Sequence, residues 1–153
     1  AVLGAGIDAL VGDRAPLTTP MSAALRGFRA LGASRVALMT PYLPDTTDIV
    51  GDCFEAGGMQ VVSRRSMGHE DDRTIGLLSG EAVVEAALRA DHPEAEALFL
   101  SCTALPAVPM LGQIEAELGK PVLSSNQVLF WAMLDRAGIA CEGPGKLFEV
   151  SGC

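Results

Sequence analysis

The sequence has few basic residues and no long apolar run. Only 11 of its 153 residues are Lys or Arg, they are scattered along the chain, and the formal net charge is -8. Nucleic acids and anionic membranes attract clustered Lys and Arg, so neither is expected as a main partner. No apolar stretch approaches the roughly 20 residues that cross a bilayer, and we therefore expect a soluble protein without a membrane partner.

Aromatic residues are also scarce, with one Trp and one Tyr, although 49% of the residues are hydrophobic. The apolar share is mostly Ala, Val and Leu, which is typical of parallel sheets covered by helices. A chain of this length has room for one domain with a substantial core. We predict a single α/β domain spanning residues 1–153.

Recognisable metal, disulfide and dinucleotide patterns are missing. The four cysteines, Cys53, Cys102, Cys141 and Cys153, are separated by 49, 39 and 12 positions, which fits no zinc or disulfide framework. The two histidines have no partner at ligand spacing, and the Gly-Ala-Gly of residues 4–6 lacks the preceding strand that a dinucleotide fingerprint needs. We expect no metal site, no nicotinamide cofactor, and reduced thiols in a cytoplasmic protein.

Apolar runs alternate with segments of helical period along the chain. The runs predict strands at residues 35–40, 59–63, 97–101 and 121–123. Helices are predicted at residues 20–31, 45–56, 81–90, 110–118 and 128–137, and the end of another at 1–11. Residues 64–79 have the pattern of a long polar connection, and 141–153 that of an irregular tail. Right-handed crossovers then predict a three-layer αβα fold with a four-stranded parallel sheet.

Two candidate site residues follow predicted strands. Cys102 comes after the apolar run that ends at Leu100, and a helix-period segment lies farther along. Ligands of open α/β sheets bind at the carboxyl ends of the strands, and N–H groups at a helix start stabilise a thiolate, so Cys102 is a candidate reactive thiol. The alternative is that Cys102 is a small buried hydrophobic residue. Tyr42 follows the strand at 35–40 and either faces the same site or covers the end of the sheet.

Several segments resemble one branch of the aspartate/glutamate racemase superfamily. They are Ser101-Cys102-Thr103-Ala104-Leu105-Pro106 and residues 114–115, 118–127, 30–42 and 131–138. The branch contains the maleate cis-trans isomerases, the arylmalonate decarboxylases and proteins of ectoine utilisation. The resemblance runs from about Thr18 to the tail and covers most of the chain.

The resemblance implies a two-lobed fold with the active site between two similar α/β lobes. This chain would be the second lobe and carry half of the site, and the first lobe would precede Ala1, where the chain has neither an initiator Met nor a signal sequence. Cys102 matches the second-lobe cysteine that acts as acid or base, and Tyr42 matches a tyrosine that binds a substrate carboxylate. The backbone N–H groups of Thr103 and Ala104 are further candidates for binding an enediolate. The family chemistry needs no metal or organic cofactor, the expected partner is a small carboxylate, and a homodimer is left open.

One position departs from the family pattern. Asp72 stands where maleate isomerases carry Asn, and an ionised carboxylate repels a substrate carboxylate that an amide would bind. The expected activity is a cofactor-independent isomerase or racemase of a small carboxylate. A decarboxylase of substituted malonates and a non-catalytic carboxylate-binding lobe remain as alternatives, and the residue that the first lobe brings to the site would separate the three.

Overall fold

Helices and strands alternate along the computed structural model, which describes residues 17–140 and 142–150. In chain order the elements are α1 (Pro20–Ala30), β1 (Arg35–Thr40), α2 (Pro44–Ala56), β2 (Gln60–Ser66), α3 (Asp72–Gly76), α4 (Gly80–Ala90), β3 (Ala97–Leu100), a 3-10 turn (Val108–Met110), α5 (Leu111–Leu118), β4 (Val122–Ser124), α6 (Ser125–Ala137) and α7 (Leu147–Val150). The predictions for residues 1–11, Cys141 and Cys153 lie outside the described residues. No helix in the described ranges is both long enough and apolar enough to span a bilayer.

Two long helices begin with a capping box. At α1 the Thr19 hydroxyl accepts the Ser22 N–H at 3.1 Å, and the Ser22 hydroxyl accepts the Thr19 N–H at 2.9 Å. At α6 Ser124 and Gln127 make the same reciprocal pair. Because each box satisfies N–H groups that a helix start leaves without intrahelical partners, the sequence sets where both helices begin.

The strands form one parallel sheet in the order β2-β1-β3-β4. Val36 to Met39 of β1 pair with Ala97 to Leu100 of β3, and the other edge of β1 pairs with β2. The chain therefore leaves β1 toward one edge, returns past it, and enters β3 on the opposite side. This reversal makes the carboxyl ends of β1 and β3 a topological switch point, where ligands of open α/β sheets bind. The predicted four-stranded parallel sheet is confirmed.

Both faces of the sheet are buried. Ala37, Met39, Leu98 and Leu100 pack against α4 and α5 on one face. The alternate residues pack against α1, α2 and α6 on the other, where the rings of Phe28, Phe54 and Phe99 meet edge to face at 5.0–6.0 Å. Strands buried on both sides are apolar at nearly every position, which is why the sequence shows runs rather than alternation.

The predicted boundaries of β2 were wrong, because the strand continues to Ser66 instead of ending at residue 63. It is an edge strand of the described sheet, and its polar carboxyl half keeps the parallel pairing as far as Thr40 with Ser66. Arg64 lies close against Gly51 and pairs with three carboxylates on α2, Asp48, Asp52 and Glu55. A strand with two successive arginines resembles a loop in sequence because an edge strand need not be apolar.

The polar connection and the tail also hold helices that the sequence did not indicate. Residues 72–76 form α3 and residues 147–150 form α7, while α6 begins at Ser125 instead of residue 128. The tail docks on two buried side chains. Glu115, only 6% exposed, accepts the N–H groups of Val122 and Lys146, and the Gln127 amide donates to the Pro144 carbonyl at 2.7 Å.

Candidate active site

Tyr42 and Cys102 both lie at the carboxyl-terminal end of the sheet, each two residues beyond the end of its strand. Met39 of β1 and Leu100 of β3 are paired neighbours, and the Ser101 N–H continues the pairing by donating to the Met39 carbonyl at 2.9 Å. The structure thus brings both residues to the switch point between β1 and β3.

Cys102 has a strained backbone. Its φ is +96°, and within the described residues it is the one non-glycine residue with a positive φ. Such a conformation costs on the order of 1–3 kcal/mol and persists only where surrounding contacts hold it. Cys102 is also buried, with 6% of its surface exposed.

The environment of the Cys102 sulfur differs from the sequence prediction in two respects. The helix predicted at residues 110–118 is present as α5, which begins at Leu111, so nine positions separate Cys102 from the helix start that was expected to support its thiolate. The Ala104 N–H, which was predicted to face an enediolate, instead donates to the Cys102 sulfur at 3.3 Å. The local turn, rather than a helix start, therefore supplies an N–H donor to the sulfur.

The start of α6 holds the cysteine turn from the side of β4. The Cys102 N–H donates to the Ser125 hydroxyl at 3.1 Å, and the Asn126 side-chain amide donates to the Thr103 carbonyl at 2.9 Å. Ser125 is buried, whereas Thr103 is exposed at the rim of the site. The turn from Ser101 to Ala104 is therefore fixed by contacts with β1, α6 and its own sulfur.

The Tyr42 hydroxyl lies beside the Cys102 thiol. Partial burial raises the pKa of Tyr42 above its ordinary value of 10.0, and hydrogen bonding and charge interaction with Cys102 raise it further. The Ser101 side chain opposes this effect by hydrogen bonding, and the Asp72 charge adds to it. Because the phenol stays neutral through the physiological range, Tyr42 can donate a hydrogen bond to an anion at this edge of the sheet.

The turn that carries Tyr42 is held through its carbonyl groups. The Ser66 hydroxyl and the Gly68 N–H both donate to the Tyr42 carbonyl, and the His69 N–H donates to the Pro41 carbonyl at 2.8 Å. Beneath the turn the hydroxyls of Thr40 and Thr47 are 2.5 Å apart and shielded from solvent. The segment just after β2 thus positions the tyrosine.

Asp72 lies at the same rim, as the exposed first residue of α3. Its neighbour Asp71 caps the helix by accepting the Arg73 N–H at 3.2 Å. Ile75 of α3 is buried in the same apolar cluster as Cys102, which fixes this short helix beside the site. The Asp72 charge therefore acts on the Tyr42 hydroxyl from the solvent side.

Three serines at the site were not assigned a role from the sequence: Ser66, Ser101 and Ser125. Ser101 and Ser125 both directly follow apolar strands, and the Ser124 to Gln127 spacing of the capping box would have placed Ser125 at a helix start. Ser66 was hidden because β2 was ended three residues too early. Hydroxyl contacts between distant segments leave no periodic signal in a sequence.

Residues 8–148 match the family described as arylmalonate decarboxylase, which is more than half of the chain. The chain belongs to the arylmalonate decarboxylase family. Among its relatives is the maleate isomerase of Nocardia farcinica, 33% identical over 141 residues, which cover 90% of this chain and 56% of that protein. The chain therefore spans about half the length of this relative.

Solved structures of arylmalonate decarboxylase family relatives share the fold. Unliganded arylmalonate decarboxylase superposes with a TM-score of 0.87 at 29% identity, over 99% of this chain and 67% of the other. A cysteine-to-serine mutant of the Nocardia farcinica maleate cis-trans isomerase, with a covalently bound succinylcysteine intermediate, gives a TM-score of 0.84 at 32% identity, over 92% of this chain and 58% of the other. Both comparisons confirm the α/β architecture and the family resemblance read from the sequence.

Proposed function

We propose that this chain is one lobe of a cofactor-independent isomerase or racemase of a small carboxylate, with Cys102 as its acid and base. The observation that carries the proposal is the grouping at the switch point: a thiol in a strained turn, an N–H bonded to its sulfur at 3.3 Å, and a neutral phenol beside it. A second lobe would supply the opposite wall of the site.

The proposed chemistry passes through an enediolate. A group on the opposite side of the site takes the proton from the carbon next to the substrate carboxylate in a racemase, or adds to the neighbouring double bond in an isomerase, and the electron pair of the broken bond moves onto the carboxylate oxygens. Those oxygens accept hydrogen bonds from the Tyr42 hydroxyl and the Thr103 N–H. Cys102 then transfers its proton: the S–H bond breaks, the electron pair of the enediolate forms the C–H bond, and a thiolate remains. The Ala104 N–H stabilises that thiolate. In the reverse direction the thiolate removes the proton.

Asp72 limits the substrates that we propose. Its exposed carboxylate acts on the Tyr42 hydroxyl, so a second substrate carboxylate on that side would meet a like charge. We therefore propose a substrate that turns a neutral or cationic group toward Asp72. Asp72→Asn should lower the KM for maleate relative to other short carboxylates if this assignment holds.

A second candidate function is the decarboxylation of substituted malonates. The family match over residues 8–148 and the likeness to arylmalonate decarboxylase favour it. Carbon dioxide would then leave first, and Cys102 would protonate the enediolate that remains. The same residues of this lobe serve both reactions, so the residue that faces them from the other lobe would decide between isomerisation or racemisation and decarboxylation.

We further place the protein in the cytoplasm. Cys53 and Cys102 are free thiols in the structure, and reducing compartments keep thiols in that form.

The test is turnover by the natural full-length protein in heavy water with EDTA present. Maleate, substituted malonates and short amino and hydroxy acids should be offered. Racemisation and decarboxylation place deuterium on the carbon next to the carboxylate, whereas cis-trans isomerisation without proton exchange does not. An absolute requirement for added metal, or no turnover of any of these carboxylates, would count against the proposal.

A further inference from the structure

Ser125 makes the contact that holds the backbone of Cys102. The Cys102 N–H donates to the Ser125 hydroxyl at 3.1 Å, across 23 positions of sequence. Ser125 is only 4% exposed and is the first residue of α6, whose start is fixed by its own capping box. The acceptor is therefore a rigid, dry group rather than a mobile surface side chain.

This contact falls on the one residue whose backbone needs holding. A positive φ is strained in a non-glycine residue, so Cys102 would relax to a negative φ unless its neighbours prevent it. Ser101 is fixed by its bond to the Met39 carbonyl and Thr103 by Asn126. The Ser125 hydroxyl holds the backbone of Cys102, which lies between these two residues.

We propose that Ser125 is a positioning residue for Cys102. Its hydroxyl keeps φ positive, and the positive φ keeps the sulfur within reach of the Ala104 N–H and beside Tyr42. Rotation of φ to a negative value would turn the Cα–Cβ bond and carry the sulfur away from both donors. The effect on thiol reactivity follows from geometry alone, and only the effect on turnover rests on the proposed function.

Ser124 provides a matched control on the preceding position. It is also a buried serine, with 2% exposed, and its hydroxyl accepts the Gln127 N–H at 3.4 Å as the cap of α6. Loss of such a cap lowers the stability of the protein. Ser124→Ala therefore weakens the same helix start without removing the acceptor of the Cys102 N–H.

The experiment measures alkylation of Cys102 by iodoacetamide near neutral pH in the 153-residue chain, with half-buried Cys53 as an internal reference. Because the sulfur loses its hydrogen bond from the Ala104 N–H, Ser125→Ala should lower the ratio of Cys102 to Cys53 labelling roughly tenfold. Ser125→Thr, which keeps the hydroxyl, and Ser124→Ala should both leave the ratio near that of the wild type. An unchanged ratio in folded Ser125→Ala, or an equal fall in Ser124→Ala, overturns the proposal.

The natural full-length protein gives a second readout. Ser125→Ala should lower kcat with little change in KM, because the substrate-binding Tyr42 turn is held separately, and Ser125→Thr should restore most of kcat. If Ser125→Ala does not fold, Ser125→Thr is the test. A kcat and a labelling ratio near those of the wild type in Ser125→Thr support the positioning role of Ser125, and the loss of both in that variant rejects it. A normal ratio response without any turnover would reject the proposed function and leave the positioning role standing.

Discussion

At the amino ends of β1 and β3 the charged groups are paired, whereas the carboxyl ends of the same strands carry a phenol, a thiol and hydroxyl groups. Glu96 accepts the N–H groups of Ser34 at 2.7 Å and Arg35 at 3.0 Å, and its other oxygen pairs with the Arg35 guanidinium at 2.8 Å. Nearby, Lys120 pairs with Asp91 at 2.8 Å just before β4 begins.

The contrast separates groups that stabilise the fold from groups that can react. The carboxylates at the amino end are held by fixed backbone donors and counter-charges. At the carboxyl end the strained backbone of Cys102 lowers stability in exchange for a particular geometry, and the pKa of the neighbouring Tyr42 is raised. Substitutions at the two ends should accordingly have opposite profiles of stability and activity.

The largest effect is expected for Cys102→Ser. Serine keeps the shape but is a far weaker acid and base near neutral pH, so turnover of the full-length protein should fall about 10²- to 10⁴-fold. Thermal unfolding should change little, because the side chains are similar in size. Steady-state kinetics and a melting curve check both expectations. Full activity in Cys102→Ser would show that Cys102 is not the acid and base, and that the carboxyl ends of the strands do not hold the reactive thiol.

Tyr42→Phe should have the next largest effect. Loss of one donor aimed at a developing oxyanion typically costs about 10²-fold, so kcat/KM should fall by roughly that factor. Since Tyr42 is the single tyrosine of the chain, its ionisation can be followed by absorbance, and it should begin above the ordinary pKa of 10.0.

The sign of the accompanying pH effect on stability follows from the direction of that shift. The folded-state pKa of Tyr42 is raised, so its contribution is complete below pH 10.0 and is lost as the pH rises further, where the unfolded chain ionises first. Tyr42→Phe should show a smaller alkaline loss of stability than the wild type. Equal alkaline melting profiles would mean that the phenol is not held neutral by the fold.

Glu96→Gln at the opposite end should give the smallest effect and leave activity unchanged. Backbone N–H groups of Arg35 and Ser34 lower the pKa of Glu96 from 4.5 to about 2. A lowered folded-state pKa means that the stabilisation is present above pH 4.5 and is lost as the pH falls through about 2. The thermal midpoint of the variant should thus lie below that of the wild type at pH 6 and approach it toward pH 2, and loss of turnover would break the separation of the two ends.

Much of this arrangement could be predicted from the sequence, and the reasons for the failures are physical. The buried strands β1, β3 and β4 are apolar on both faces, so their runs placed Tyr42 and Cys102 at strand ends. The edge strand β2 is polar where it approaches Ser66, and its last residues were read as loop. The hydrophobic pattern of a strand reflects its burial, and an edge strand is less buried than a central strand.

The backbone of the cysteine turn could not be predicted in the same way. The positive φ of Cys102 depends on Ser125, and the direction of the Ala104 N–H depends on that φ. The first relation spans 23 positions of sequence, and the second depends on the first. A thiol at a strand end was predictable from residue order, whereas the donor that reaches its sulfur depends on how a distant helix start meets the turn.

The tail helps to cover the buried carboxylate of Glu115. The carboxylate is buried, and it accepts the Val122 N–H from β4 and the Lys146 N–H from the tail. Cutting the chain before residue 143 would leave the first donor in place but remove the second, and it would open an anionic group in the core to water. The segment that contains Pro144 and Lys146 therefore stabilises the fold by covering a buried carboxylate.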